Sequence, residues 1–336
     1  MNAIVKKMMA VKDNRNIILD AMKGIGIILV VWGHVPSQGV VNHFGGFKMH
    51  LFMIISGYLA YNNKRDNNWM WIRSKVKRLL IPFVIWMIIQ MYSIYQFEYK
   101  QCLDFVIRVI KSPDASNWFL FTLFEMCVLL CVCNLLISSL KIEKYDGIIY
   151  LICVGMFNLL FWKVHFQMFG TYLLSLYLLS FLLGYYIHKH GLTEKYQMIL
   201  ENRWVWILVS VVSVPLFLRF DPDKFTEVVY MHLPFTFART SFCASIRIVI
   251  PLLGVYFTYI FVRILPNKVK ELIGFIGKYS LEIYVLSSYF IKQYRANPWI
   301  NSILNTIIAV LVSLLIAIVF ENGLVNLLIF GKDNKA

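Results

Sequence analysis

Ten stretches of mostly apolar residues divide this chain, at about 17–36, 44–62, 79–98, 117–140, 146–163, 170–188, 203–220, 242–262, 273–292 and 301–330. A helix needs roughly 17–25 such residues to cross the hydrocarbon of a bilayer. In that medium every backbone N–H and C=O must be bonded within the structure, which leaves helices as the natural solution for runs of this length. The pattern predicts an all-α, polytopic membrane protein of about ten transmembrane helices. Only 15% of the residues are charged and 59% are hydrophobic, whereas a soluble domain carries about 25% charged residues. The last run is long enough to tilt, or to break near Glu321-Asn322-Gly323.

The formal net charge is +15. In a soluble chain that excess would point to nucleic acid, but here it gathers in the segments between apolar runs. Lys and Arg accumulate on the cytoplasmic side of membrane proteins. With the N-terminus inside, the inner segments hold more than twice as many Lys and Arg as the outer ones, with Lys64, Arg65, Arg73, Lys75, Lys77 and Arg78 as the densest group. Both termini are therefore expected in the cytoplasm. Residues 1–16 would form an N-terminal tail, 17–330 one transmembrane domain and 331–336 a C-terminal tail. The expected partner is membrane lipid, not nucleic acid. No small-residue cleavage site follows the first run, so it reads as a retained signal-anchor. Between the third and fourth runs, "CLDFVIRVIK" alternates apolar and charged residues at helical spacing, as a helix lying in the interface does.

Six cysteines (Cys102, Cys127, Cys131, Cys133, Cys153, Cys243) lie almost all within apolar runs and show no C-x-x-C spacing. They read as small buried hydrophobes, and no metal site is expected.

The first run carries ionisable groups where they are costly. Asp20, Lys23 and His34 interrupt "ILDAMKGIGIILVVWGH". Eleven residues advance a helix by about three turns plus 20° and about 16.5 Å, so Lys23 and His34 share a face. Asp20, three positions before Lys23, can pair with it. Gly24, Gly26 and Gly33 let another helix or a ligand come close. On composition alone the favoured reading is a structural ion pair with an interfacial histidine, since ionisable groups inside a span suggest a function without naming it. The second run, "FGGFKMHLFMIISGYLAY", places Lys48 and His50 at the end where His34 also arrives, with Ser56-Gly57 deeper.

Together these stretches resemble the acyltransferase-3 family, integral membrane O-acyltransferases that modify bacterial surface sugars. Asp20, Lys23 and His34 fall in the places of that family's Asp, Arg or Lys, and His. "FKMHLFMIISGYL" is similar to its second span, "NWFLFTLF" (117–124) to its Trp-Phe-Leu entry, "LYLLSFLLGYYI" (176–187) to its Leu-Gly-Tyr span, and "IGKYSLEIYVLSSYF" (276–290) to its late Ser-Leu-x-Ile-Tyr segment. The similarity covers most of the chain in the expected order. The chain departs from the family at four positions. Lys23 replaces the more usual arginine, Lys48 takes the place of a histidine and His50 that of a proline. Ser287 stands where many members have a histidine.

The resemblance implies an O-acetyltransferase of the cell inner or plasma membrane, bacterial in origin. It would move an acetyl or other acyl group from acyl-coenzyme A to a hydroxyl of a surface polysaccharide or lipid-linked glycan. Such a transfer needs a base for the hydroxyl proton and positive groups or donors for the oxyanion. His34 is expected as that base, with His50 assisting. Lys23, supported by Asp20, would meet the anionic acetyl-CoA donor. Lys48, Ser56, Trp118 and Glu125 are expected to bind or support substrate. Arg239 and Arg247 read as interfacial anchors, and His165, His188, His190 and His232 as histidines at span ends. The competing reading from another class is an exporter or flippase of lipid-linked glycan. It would favour paired broken spans in corresponding halves, and no such correspondence is visible.

Overall fold

The computed structural model describes residues 16–35, 44–61, 68–113, 116–164, 166, 168–219, 236–291, 298–321 and 324–332. All regular elements among them are helical. Among the described residues, six helices are long and apolar enough to cross a membrane: Ile17–His34, Asn68–Tyr95, Trp118–Leu140, Glu143–Phe161, Thr171–Lys189 and Ser302–Val319. Two shorter apolar helices, Arg203–Pro215 and Ile248–Ile264, accompany them. His165 and His232, and the side chains of Arg239, Cys243 and Arg247, lie outside the described residues.

The chain divides into two compact units, one of residues 1–55 with 192–318, the other of residues 56–191 with 319–336. In the first unit, helix α1 (Ile17–His34) begins where the Asn16 side chain accepts from the backbone N–H of Ile18 and Leu19. Such a cap satisfies donors that the first turn otherwise leaves unpaired. The helix stops before Pro36, because proline drives its predecessor into extended backbone, and Val35 has ψ 129°. Helix α2 (Lys48–Ala60) follows a short 3-10 turn, Phe44–Phe47. Ala21 and Met22 of α1 bury against Leu51 and Ile55 of α2 and against Val262.

Helices α3 (Asn68–Lys75) and α4 (Ile81–Tyr95) in the second unit are joined through a π-turn, Val76–Leu80. The wider turn accommodates Pro82, which brings no N–H to the helical ladder. Helix α5 (Tyr99–Lys111) buries Cys102, Phe105 and Val109 and leaves Leu103, Ile107 and Ile110 exposed, as the alternation in its sequence predicts. Helices α6 (Trp118–Leu140), α7 (Asp146–Trp162) and α8 (Thr171–Lys189) are tied by Asn134. Its amide donates to the Tyr185 hydroxyl at 3.1 Å and accepts from Tyr150 at 2.9 Å. Gly57 of α2 lies directly on the Phe181 carbonyl of α8, an approach that a β-carbon would block.

Two short helical turns, α9 (Leu192–Lys195) and α10 (Gln197–Leu200), lead to α11 (Arg203–Arg219) and α12 (Thr236–Ile264). The ninth apolar run does not form one helix. It is divided between α13 (Asn267–Lys278) and α14 (Ser280–Ser287), with Tyr279 at φ −105°, ψ 20° between them. Gly274 and Gly277 lay α13 along α1, where Gly277 meets the Asp20 carbonyl and Gly24 meets that of Ile273. Backbone contact at small residues is how helices pack without a hydrophobic drive, and it holds α13 as a separate piece. The tenth run breaks at the expected place, into α15 (Pro298–Val319) and α16 (Leu324–Phe330).

Candidate active site

His34 is the last residue of α1 and is exposed. Its Nδ1 lies 2.7 Å from the Val30 carbonyl oxygen. A carbonyl can only accept, so Nδ1 carries the proton and a neutral ring keeps its lone pair on Nε2. Nε2 is thereby left free to accept a proton. One residue earlier, Gly33 makes room for a cation: the Lys48 amine from α2 occupies the space a β-carbon would fill. Trp32 fixes this end of α1 from the other side, donating its Nε1 to the Ser302 hydroxyl at 2.7 Å. Ser302 is buried at the start of α15.

At the opposite end of α1, Lys23 Nζ donates to Asp20 Oδ1 at 3.1 Å, with both side chains about one-fifth exposed. Since α1 is unbroken from Ile17 to His34, Lys23 and His34 stay on one face, separated along the axis by about 16.5 Å.

The other expected site residues are spread. His50 lies two positions after Lys48, about 200° around α2, so α2 presents these two side chains in different directions. Ser56 is half-buried, two turns further along. In the second unit, Trp118 opens α6 and stacks on Tyr177, with ring centroids 5.4 Å apart and planes 17° from parallel. Glu125 follows two turns on, its Oε2 buried with no hydrogen-bond partner among the described residues. Ser287, the departure in the late segment, is buried at the end of α14.

Three polar partnerships were not visible in the sequence. Ser302 sits in an apolar run 270 residues from Trp32. Asp146 accepts from Lys189 at 2.6 Å and lies 3.1 Å from His190 Nε2, while being almost completely buried. His188 stacks on Tyr58, with centroids 4.1 Å apart, and bonds its carbonyl through Nδ1 at 2.7 Å. The only trace of these in the sequence is their position at the ends of apolar runs.

Among the described residues, six helices are able to cross a membrane, and the first of them ends in a histidine whose preceding residue, Gly33, meets a lysine amine. The chain belongs to the acyltransferase-3 family: the model of that family, described as an acyltransferase domain, matches residues 16–322. No curated protein and no solved structure matches it.

Proposed function

We propose that this protein is an O-acetyltransferase that moves an acetyl group from acetyl-CoA to a hydroxyl of a surface polysaccharide or its lipid-linked precursor. The observation that carries the reading is the bond between His34 Nδ1 and the Val30 carbonyl, which leaves Nε2 as the proton acceptor. In the proposed reaction Nε2 takes the proton of the acceptor hydroxyl as its oxygen attacks the thioester carbonyl. Negative charge then develops on the carbonyl oxygen, where the Lys48 ammonium beside Gly33 can stabilise it. Collapse breaks the C–S bond, and the imidazolium returns its proton to the departing CoA thiolate. The products are an acetyl ester and free CoA.

Lys23 gives the donor's phosphates a cation near the other end of α1. The axial distance to His34 is comparable to an extended pantetheine arm. Asp20 holds that lysine in place at 3.1 Å. His50 is assigned to acceptor positioning, and no metal enters the scheme. We also propose ten membrane crossings, the ninth of them broken between α13 and α14, with both termini in the cytoplasm of a bacterial inner membrane. That reading rests on the distribution of Lys and Arg between the apolar runs. Purified protein given acetyl-CoA and unacetylated glycan should release CoA and add one acetyl unit to the glycan, as read by mass. Wild-type protein that leaves the glycan mass unchanged would refute the reading.

A further inference from the structure

Between Asp66 and Glu98 the chain has no acidic residue, yet Arg73, Lys75, Lys77 and Arg78 fall within six positions. Residues four apart on a helix lie one above the other, so Trp69, Arg73 and Lys77 form one row and Met70, Ser74 and Arg78 the next. All six are exposed. Lys75 lies off these rows, its amine 5.1 Å from the centre of the Trp71 ring. Like charges four residues apart repel, and Arg73 and Lys77 are such a pair. Among the described residues Arg73, Lys77 and Arg78 make no ion pair, whereas at other helix ends Asp146 holds Lys189 and Glu201 holds Arg263.

Tertiary contacts fix this end of the helix. Gly331, at φ 66°, lies on the backbone of Arg78, where a β-carbon would collide with it. Trp86 donates its Nε1 to the Ile329 carbonyl at 2.9 Å. Lys332, the next residue after Gly331, is thereby brought to the same helix end. Further along, the exposed side chains of α4 begin with Val84, Ile88 and Tyr92, at four-residue intervals. The helix of residues 68–95 is long and apolar enough to cross a membrane, so this stripe is its lipid-facing side. Lys77 and Ile88 are separated by about 16.5 Å along the axis, roughly half of the ~30 Å hydrocarbon core. The cations and the stripe are thus spaced like the headgroup and the chains of one leaflet.

We infer that this face of the second unit binds an anionic phospholipid, whose phosphate meets Arg73, Lys77 and Arg78 and whose chains lie along Val84 and Ile88. Charge selects the headgroup. A phosphodiester with a neutral substituent, as in phosphatidylglycerol, relieves the repulsion within the rows, whereas a zwitterionic headgroup brings an ammonium of its own. Clusters of Lys and Arg beside a membrane helix attract anionic lipid in this way. Trp69, one turn before Arg73, is of the type that anchors at the membrane interface. A soluble phosphate compound would make no use of the apolar stripe that continues from the cations. The inference needs only that this helix stands in a membrane, and it is independent of the acyl-transfer reading.

The test is the melting temperature of the purified full-length protein in a neutral detergent, dodecyl maltoside. It is titrated separately with dioleoyl-phosphatidylglycerol, dioleoyl-phosphatidylcholine and inorganic phosphate. A ligand held only by the folded state raises the melting temperature by mass action. We expect phosphatidylglycerol to raise it and the other two to leave it unchanged. Lys77→Gln should weaken the apparent affinity for phosphatidylglycerol about fivefold, and the triple variant Arg73→Gln, Lys77→Gln, Arg78→Gln about 100-fold. Lys77→Arg should bind like wild type. The single variant changes one exposed side chain, so it decides the matter even if the triple variant does not fold. Equal responses of wild type to the two lipids, or wild-type affinity in Lys77→Gln and the triple variant, would overturn the inference. So would a rise produced by inorganic phosphate and lost in Lys77→Gln, which would assign the rows to a soluble anion.

Discussion

The amine of Lys48 occupies the place that a β-carbon would take on Gly33, so the position of that cation, one residue before His34 in the chain, depends on residue 33 having no side chain. Gly33→Ala should displace that amine and lower acetyl transfer by roughly 10²-fold, the range for losing one oxyanion donor. Because the displaced group is the far end of a flexible side chain, the melting temperature should barely move. In a Lys48→Ala background, Gly33→Ala should add little further loss. Full additivity in that double-mutant cycle would show that the two residues act separately.

His34 is exposed at the end of α1, so its replacement should not disturb packing. His34→Ala and His34→Gln should express and insert normally and lose transfer by about 10²–10⁴-fold, the usual contribution of a general base. His50→Ala should be milder. Wild-type rates in a folded His34→Ala protein would remove it from the mechanism.

At the other end of the helix, Lys23→Arg should retain more activity than Lys23→Ala, since both Lys and Arg supply a positive charge. The loss in Lys23→Ala should appear as a raised KM for acetyl-CoA with little change in kcat. Equal donor KM in wild type and Lys23→Ala would leave Lys23 as a structural partner of Asp20.

Gly277 offers a contrast with Gly33, because a β-carbon there would meet the backbone carbonyl of Asp20 rather than a movable side chain. Overpacking of this kind costs about 1–3 kcal/mol. Gly277→Ala should therefore lower the melting temperature by several degrees in a thermal unfolding scan. Asp146→Asn should also destabilise, since it takes the charge from a nearly fully buried group held by Lys189 and His190.

The topology can be read by labelling in a Cys243→Ser background, where the remaining cysteines, Cys102, Cys127, Cys131, Cys133 and Cys153, are buried. Ser74→Cys should react with a membrane-impermeant reagent only after cells are opened, and Lys111→Cys should react in intact cells. Labelling of Ser74→Cys from outside would reverse the proposed orientation.

Composition and periodicity are local properties, and what depends on them alone is legible in the order of the residues. The apolar runs at 17–36, 117–140 and 170–188 form α1, α6 and α8, the amphipathic stretch forms α5, and the last run parts near Glu321. The spacing of Lys23 and His34 puts them on one face because α1 is continuous, and the ordered motifs locate the family. Tertiary packing decided the rest. The ninth run reads as one span, yet it breaks at Tyr279, because Gly274 and Gly277 hold α13 on α1. Lys48 and His50 read as a pair in the sequence, but only Lys48 reaches Gly33, since two residues on a helix point about 200° apart. Nothing in the apolar run of α6 sets Thr122, whose buried hydroxyl has no hydrogen-bond partner among the described residues, apart from the bonded threonines Thr258 and Thr306. Whether a buried hydroxyl finds a partner depends on neighbours brought from elsewhere in the chain, and that is a property of packing, not of spacing.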